Sequence, residues 1–449
     1  MEITIDPPPD RGCGSAAILF SQAFEKIRLA GGGRLRIRDG EYLLGPLDLP
    51  GSLTLALDAG ATLRFTDDFN AYPPVLTRWE GFECLAMHPL IFAQGARDIR
   101  IEGEGTIDGN GYAWWAAHRQ KQGKSQAVKV LPADPSSPPS GGGGRETGFL
   151  RPPLIQLVEC ENVVVSGIRI RNSPFWTLHP VFSRRIEFQG LRIENPADAP
   201  NTDGIDIDSC EEVRIVDCLV DVGDDCIALK AGSGNQGVEI GRPTRNVTIS
   251  GCTFRSGHGG VVVGSETAGG VENVAVSNCR FIGTDRGIRI KSRRGRGGLV
   301  QNLSFSNLVM DGALAPVTVN LYYKCGAEAW ESSRLFSLRE EPLTSLTPRV
   351  RNIRISNLAA VGCRASAGFV AGLPESRIRN LILENCHISM AAQGLAPVDQ
   401  SEMCQGLPQT DSRGLRLRNA DCLADNVEIE GGGIDVEEGA RLFNRPPRP

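Results

Sequence analysis

The hydrophobic pattern of this chain is a short phrase that recurs at fairly regular intervals. Each copy opens with a polar residue, often Asn, and continues with apolar residues at every second position. The first apolar residues of successive copies are Val163, Ile186, Val213, Val247, Val274, Leu303, Ile353, Leu381 and Val427. The gaps between them are 23, 27, 34, 27, 29, 50, 28 and 46 residues.

A period of two predicts β-strands that bury one face, and a repeat of this length predicts one coil of a parallel β-helix. The two long gaps are interpreted as coils that carry inserted loops. We therefore predict an all-β fold, a single-stranded right-handed parallel β-helix that forms one domain over residues 1–449. A solenoid reaches this length as one domain because each coil buries the face of its neighbour.

The N-terminal region, residues 12–34, has a different period. Its apolar residues fall on one face of a predicted helix that ends at three consecutive glycines. We expect this helix to cap the open end of the hydrophobic core. The residues of that face are Ala16, Leu19, Ala23, Phe24 and Ile27.

Two further segments, 112–151 and 322–350, interrupt the repeat and are predicted to be inserted loops. Inside the first, residues 136–144 are Ser, Pro and Gly only. Such a run lacks the apolar residues needed for packing, so we expect it to be mobile. Long loops on one face of a solenoid commonly carry its binding function.

Charge and composition exclude several classes of partner. The net charge of −5 does not suit nucleic acid, and no run of about 18 apolar residues exists that would span a membrane. The first ten residues lack the basic and apolar regions of a secretory signal. We therefore expect a cytoplasmic protein, or a periplasmic or secreted one if the natural chain begins earlier.

The cysteines fit a reducing compartment. Their number, 13, is odd, and no metal-type Cys-x-x-Cys pair is present. Four of them occupy the same position in their repeats and are predicted to form a buried column with a packing role. These four are Cys218, Cys252, Cys279 and Cys386.

Acidic and basic residues recur at similar phase in four successive copies of the repeat. They follow the first apolar residue of their copy by 17, 12, 11 and 15 positions, respectively. We expect them to stack on one sheet, where adjacent strands lie about 4.8 Å apart. The four residues are Asp203, Asp225, His258 and Arg289.

The local sequences around these positions resemble the motifs of glycoside hydrolase family 28, the polygalacturonases. They are Asn201-Thr202-Asp203, Gly223-Asp224-Asp225-Cys226, Gly257-His258-Gly259 and Arg289-Ile290-Lys291, in this order. The resemblance implies hydrolysis of α-1,4-galacturonosyl linkages in pectic poly- or oligosaccharides, with inversion and with no metal or cofactor.

The resemblance also implies roles for individual residues. Asp224 would protonate the leaving oxygen, whereas Asp203 and Asp225 would deprotonate the attacking water across a gap of about 6.5–9.5 Å. Clustered carboxylates raise one another's pKa, which keeps one of them protonated. His258 would assist the acid.

Further residues are candidates for substrate binding. Arg289 and Lys291 suit the galacturonate carboxylate, and Tyr323 corresponds to a family tyrosine that packs on a sugar ring. The remaining candidates are Asn201, Arg293, Trp176 and His179. For Trp176 and His179 core packing is an equal alternative, and for Arg293 the alternative is an exposed loop. The Ser-Arg-Arg-Gly sequence at 292–295 and the large loops resemble bacterial members that act from a chain end.

Three alternatives remain open at this point. The chain could hydrolyse rhamnogalacturonan or a substituted galacturonan, although the Gly-His-Gly motif favours plain polygalacturonate. It could be a pectate lyase that uses the aspartates to bind Ca²⁺. It could also be a non-catalytic carbohydrate-binding β-helix. The sequence does not indicate an oligomeric state.

Overall fold

The structure is a computed structural model that describes residues 1–10, 12–122, 149–327 and 329–444. The chain divides into two compact units, residues 1–224 and the residues from Asp225 onward. Both have the coil architecture of a right-handed parallel β-helix, which confirms the predicted fold class. The single-domain organisation stays a prediction, and the run 136–144 lies outside the described residues.

The described residues of the first unit form two α-helices, α1 (Cys13–Leu29) and α2 (Tyr112–Gln122), and a 3₁₀ turn at Phe69–Ala71. Its strands are β1 (Glu2–Ile5), β2 (Gly33–Ile37), β3 (Gly40–Leu44), β4 (Leu47–Asp48), β5 (Leu53–Leu57), β6 (Ala61–Phe65), β7 (Pro74–Trp79), β8 (Phe82–Met87), β9 (Ile91–Gln94), β10 (Arg97–Gly103), β11 (Thr106–Asp108), β12 (Ile155–Val158), β13 (Glu161–Ser166), β14 (Arg169–Arg171), β15 (Leu178–Val181), β16 (Arg184–Gln189), β17 (Arg192–Glu194), β18 (Ile205–Asp208), β19 (Glu211–Val216) and β20 (Leu219–Val222).

The second unit contains α3 (Gly234–Ile240), α4 (Ser332–Leu335) and a 3₁₀ turn at Val398–Ser401. Its strands are β21 (Asp225–Lys230), β22 (Thr244–Ser250), β23 (Thr253–Ser256), β24 (Gly259–Val263), β25 (Val271–Ser277), β26 (Arg280–Ile282), β27 (Arg286–Lys291), β28 (Leu299–Asp311), β29 (Ala315–Asn320), β30 (Arg349–Cys363), β31 (Gly368–Ala371), β32 (Ile378–Met390), β33 (Leu415–Arg418), β34 (Ala420–Ile429), β35 (Ile434–Val436) and β36 (Arg441–Asn444).

The repeat phrase forms one strand of each coil, and its apolar residues pair in register. In the first unit Val163 pairs with Ile186 and Ile186 with Val213, and all three are buried. The shorter strands β9, β12, β15 and β18 of the same unit form a second parallel sheet. In the second unit the equivalent second sheet runs from β21 through β24, β27, β29, β31 and β33 to β35.

One repeat assignment is wrong. In the second unit the in-register column reaches Leu381, but its partner on the next strand is Cys422 and not Val427. Val427 pairs instead with Cys386, five positions further along the coil. The error arose because two different corners of the coil have the same local signature, an Asn followed by an apolar residue.

Both corners are built on asparagine ladders. The ladder residues have φ between 52° and 59°, the left-handed conformation that Asn adopts more readily than most side chains. After the first asparagine of each ladder, every side-chain amide donates to the amide oxygen of the preceding coil, at 2.9 to 3.3 Å. One ladder is Asn246, Asn273, Asn302, Asn352 and Asn380, and the other is Asn278, Asn307, Asn357, Asn385 and Asn426.

The N-terminal helix forms where it was predicted, but its buried face is rotated. Ala16, Ala23 and Ile27 are buried as expected, and Phe20 is buried in place of Leu19 and Phe24, which are half-buried. The Phe20 ring packs edge-on against Tyr42, with the ring centroids 6.1 Å apart. This aromatic contact anchors the helix on the first coil.

Two large segments cover the outer face of the second sheet and were not singled out from the sequence. In the first unit this is an antiparallel hairpin, β7–β8. In the second unit it is the segment 391–414 between β32 and β33. No helix among the described residues is both long and apolar enough to cross a membrane.

All thirteen cysteines lie within the described ranges and are free thiols. Cys252 and Cys279 are buried on adjacent coils, as predicted. The column is then interrupted by Leu308 and Leu358, which pair in register with each other and lead to Cys386. Cysteine and leucine are therefore interchangeable at this position, which supports a packing role.

The ladders predict a specific stability effect at Asn302. Its side chain bonds to both neighbouring asparagines, at 3.1 and 3.0 Å. An Asn302→Ala variant loses these bonds. It also places alanine, which lacks a hydrogen-bonding side chain, in the left-handed region, so it should lose about 2 kcal/mol of unfolding free energy. Asn302→Gly also loses the bonds, but glycine adopts the left-handed conformation without strain, so its loss of unfolding free energy should be about half that of Asn302→Ala. Equal losses in urea unfolding would show that the conformation is not the cause.

Candidate active site

In the first unit the fold brings Asp203 and Asp224 together. Asp203 lies in the turn before β18, and Asp224 follows β20. A carboxylate oxygen of each lies within 4.8 Å of the other. Asp203 is buried and Asp224 is half-buried. This value joins the nearest oxygens and not the two carboxyl groups as a whole, so the acid–base gap expected from the sequence stays a prediction.

The short distance has a local cause at Gly223. A Cβ at this position would lie 2.4 Å from the carbonyl oxygen of Ala199 and 2.7 Å from that of Pro196. Only glycine therefore lets the backbone before Asp224 pack directly on the turn that leads to Asp203. The Thr202 hydroxyl also accepts a hydrogen bond from the Gly223 N–H, at 3.3 Å.

A buried arginine, Arg151, lies beside this pair and was missed in the sequence. It donates to the side-chain oxygen of Asn201 at 2.7 Å. Its burial lowers the pKa of its guanidinium to about 9, although Glu80, Asp203 and Asp224 oppose that shift. The sequence placed Arg151 at the end of an inserted loop, and no pattern there marks it as buried.

Trp176 and His179 lie on the coil before Asp203, beneath the β7–β8 hairpin. Both are buried, and their rings meet edge-on at 4.8 Å. A nitrogen of His179 lies 3.0 Å from the Gln156 amide, which also bonds to the hairpin. This environment agrees with the packing alternative, and a role in substrate binding stays a prediction.

In the second unit Asp225 is fully buried among cations. It accepts hydrogen bonds from Arg289 at 2.9 Å and from Lys291 at 2.5 Å. Burial alone would raise the pKa of Asp225, but the charges of Lys291, Arg289 and Lys230 outweigh it and hold that pKa well below its ordinary value. Asp225 is therefore an ionised carboxylate at neutral pH.

The Gly-His-Gly motif is explained in part by Gly259. This residue pairs in register with Asp225, and a Cβ on it would lie 3.1 Å from an Asp225 carboxylate oxygen and 3.2 Å from the Arg289 side chain. The closest contact of that Cβ would be with the Val262 side chain, at 2.4 Å, so the glycine makes room both for Val262 and for the ion pair. His258 occupies the exposed turn just before it. Its catalytic role stays a prediction.

Tyr323 lies against the same cations. Its ring centroid is 5.6 Å from the Arg289 guanidinium carbon and 5.4 Å from the Lys291 ammonium nitrogen. Burial raises the pKa of its hydroxyl well above the ordinary value, so the ring is neutral. The arrangement is compatible with the predicted sugar contact.

The segment 391–414 closes over these residues in the second unit. Arg286 donates to the carbonyl oxygens of Ser401 and Gln400, both at 2.9 Å. Asn320 donates to that of Glu402 at 3.0 Å, and Arg289 contacts the Met403 sulfur at 3.1 Å. The long final gap of the repeat was the only sequence signal for this segment.

Arg293 is buried rather than in an exposed loop. It donates to the carbonyl oxygens of Arg294 at 3.0 Å and Gly326 at 2.5 Å. Burial lowers its pKa to about 10, so it stays charged. These contacts fix the backbone of the 322–350 segment, and substrate binding by Arg293 stays a prediction.

Oxygen donors for a metal ion occur at Asp203 and Asp224, and a second group combines the half-buried imidazole of His387 with the exposed carboxylates of Glu428 and Glu430. A Ca²⁺ ion takes about six to eight oxygen ligands. The buried positive charge of Arg151 beside Asp203 and Asp224 disfavours a divalent cation there. The geometry therefore favours a hydrolytic use of the carboxylates.

Parallel coils that present paired carboxylates and buried cations suit one class of protein, a glycosidase that acts on acidic sugars. The comparisons identify the family. Residues 141–337 match the model described as Glycosyl hydrolases family 28. A Vitis vinifera protein named "Probable polygalacturonase" is 30% identical over 396 residues, which cover 85% of this chain and 73% of that protein.

Two further relatives are named for different modes of action. An endo-polygalacturonase of Pectobacterium carotovorum subsp. carotovorum is 30% identical over 331 residues, 70% of this chain and 73% of that protein. The crystal structure of a hyperthermoactive exopolygalacturonase from Thermotoga maritima superposes with a TM-score of 0.76 at 26% identity, covering 96% of this chain and 92% of that one.

The chain therefore belongs to glycoside hydrolase family 28, the polygalacturonase family of pectin hydrolases. The predicted family and enzyme class are confirmed. Membership of a hydrolase family decides against the lyase and the non-catalytic alternatives. The roles of the individual residues stay predictions.

The ion cluster around Asp225 predicts a strong stability effect. Asp225→Asn leaves Arg289 and Lys291 buried without their counter-charge and should lower the free energy of unfolding by about 3 kcal/mol. Because the pKa of Asp225 is depressed in the folded state, its contribution is complete above the ordinary value of 3.8 and disappears only as the pH falls through the folded value. The difference between variant and wild type should thus be constant from pH 5 to 8.

Urea unfolding across this pH range measures the effect. Asp285→Asn is the matched control, because its ion pair with Arg286 is partly exposed and longer, at 3.4 Å. That control should change stability by less than about 0.5 kcal/mol. Similar losses in the two variants would contradict the assignment.

Proposed function

We propose that this enzyme hydrolyses α-1,4-galacturonosyl linkages of pectic poly- or oligosaccharides, with inversion and from a chain end. The observation that carries the proposal is the juxtaposition of the Asp203 and Asp224 carboxylates, within 4.8 Å, in motifs of the family. Like-charge repulsion at such a distance favours one retained proton, which an acid catalyst needs.

The acid is assigned by elimination. Asp225 is held ionised by Arg289 and Lys291 and so has no proton to donate. Asp224 is more exposed than Asp203 and is better placed to reach a leaving oxygen. Asp224 is therefore the proposed acid, and the resemblance to the family motifs implies that Asp203 and Asp225 deprotonate the attacking water.

The galacturonate carboxylate is assigned to Arg289 and Lys291. Both cations are already desolvated, so they lose little hydration when a second carboxylate arrives. Tyr323, whose ring packs on these cations, supplies an apolar surface for a sugar face. Asn201 is assigned as a hydrogen-bond donor to the substrate. His258 is assigned as a partner of the acid.

Action from a chain end is supported by the β7–β8 hairpin. In the first unit it covers the sheet that precedes Asp203, where Trp79 stacks on Phe175 with the ring centroids 5.0 Å apart. Gln156 and His179 of that sheet are buried beneath it. A long polymer lying along this sheet would need that surface to be open.

A cytoplasmic location is proposed because the thirteen free thiols suit a reducing compartment. The natural substrate would then be a short imported oligogalacturonate. Activity found only in the periplasmic or culture fraction of producing cells would argue against this location.

Substitution of the acid tests the chemistry. Asp224→Asn should lower kcat on polygalacturonate by about 10³-fold, because the leaving oxygen is no longer protonated. Asp221→Asn, a half-buried aspartate three positions earlier, is the matched control and should keep wild-type kcat. Products are quantified as reducing ends in EDTA, together with the ultraviolet absorbance of unsaturated sugars.

Polygalacturonate and rhamnogalacturonan are compared in the same assay, with product masses. Faster cleavage of rhamnogalacturonan would replace the substrate assignment. New ultraviolet absorbance, or full activity of Asp224→Asn, would contradict hydrolysis by this acid.

The stereochemistry and the mode of action are read from one proton NMR time course on polygalacturonate. End-directed inversion should release monomer or dimer first, with the new reducing end in the β-configuration before mutarotation. Viscosity should fall slowly relative to the number of bonds cut. Early α-anomer would contradict inversion, and an early mixture of long oligomers would contradict action from a chain end.

A further inference from the structure

Arg151 is a buried cation whose hydrogen bonds converge on the turn that carries Asp203. It is 1% exposed. One guanidinium nitrogen donates to the carbonyl oxygens of Pro174 at 2.9 Å and Pro200 at 2.8 Å, and the other donates to the Asn201 side chain at 2.7 Å. Arginine suits this task because its planar fork can serve several fixed acceptors at once.

The arginine is itself held rigidly. The Phe175 ring lies under its guanidinium at 5.1 Å, and the Trp79 indole donates to its backbone carbonyl at 2.9 Å. Trp79 also stacks on Phe175. The hairpin, the coil before Asp203 and the Asn201 turn therefore meet at this one side chain.

The bond to Asn201 determines what that amide can do. Its oxygen accepts from Arg151, which fixes the amide orientation and turns the two N–H donors away from the arginine. Asn201 has a φ of 54°, a conformation that depends on its surroundings for support. Arg151 thus orients a donor two residues before Asp203.

The same side chain presents a positive charge to the acidic pair. The carboxylates that face it are Glu80 from the hairpin turn, Asp203 from the turn before β18 and Asp224 after β20. Each of them favours the charged arginine, and by reciprocity the arginine favours their ionised forms. Repulsion between Asp203 and Asp224 raises their affinity for protons, and the positive charge of Arg151 limits that increase.

We propose that Arg151 is a positioning residue of the reaction, which orients the Asn201 amide and sets the charge balance of the Asp203–Asp224 pair. The inference rests on the proposed function, since it assigns the pair an acid–base role. Arg151 touches no reacting atom in this scheme and acts through its neighbours.

Two variants separate its two contributions. Arg151→Lys keeps the charge but lacks the fork, so kcat/KM should fall roughly tenfold while the pH profile keeps its position. Arg151→Gln also removes the charge, so the acid limb of the profile should move to higher pH by about half a unit or more. Both profiles are measured on polygalacturonate from pH 4 to 8.

The control is Arg171→Gln, which breaks the half-exposed Arg171–Asp108 pair of the same unit, at 2.9 Å. It should change neither kcat/KM nor the profile. A double variant with Asn201→Ala should show non-additive losses with Arg151→Lys, because the two residues act through one bond.

An unshifted profile for a folded Arg151→Gln variant would overturn the charge role. Additive losses in the double variant, or losses that match the fraction of unfolded protein by circular dichroism, would overturn the positioning role. Wild-type hydrolysis of polygalacturonate is measured first. Its absence would reject the proposed function, whereas the comparison of variants with an active wild type concerns Arg151 alone.

Discussion

The structure depends on the in-register stacking of parallel coils. Because side chains alternate between two faces, a slip of one residue would turn every buried aliphatic side chain outward. Val163, Ile186 and Val213 show the constraint in the first unit, where each lies over the next in the core. This register also fixes the phase at which the turns leave the sheet, and Asp203 and Asp224 lie on such turns.

The repeat revealed the fold because alternation and coil length are properties of local sequence. It failed where two structures share one signature, as at Val427, or where tertiary contacts select among apolar residues, as at Phe20. The acidic and basic motifs were recognisable because adjacent charges on a strand are unusual. Arg151 was not, because its burial is set by the hairpin and by a turn about fifty residues later, and single-sequence patterns do not record such contacts.

The site buries charge to an extent that only mutual compensation permits. Asp225 is stable in the interior because Arg289 and Lys291 donate to it, and these cations are in turn stable because of Asp225. The same reciprocity holds in the first unit between Arg151 and the carboxylates that face it. These functional groups are therefore desolvated in the folded protein, and neighbouring charges determine their ionisation more than the solvent does.

The asparagine ladders have a consequence for how such a chain can change. The side-chain hydrogen bond from Asn352 to Asn302 spans fifty residues of sequence, yet its length of 3.0 Å equals that from Asn380 to Asn352, which spans 28. Extra residues leave the coil elsewhere and return to the same corner. Insertions can therefore change the loops around the catalytic residues while the stacked coils stay the same. The architecture thus tolerates diversification of the substrate that it accepts.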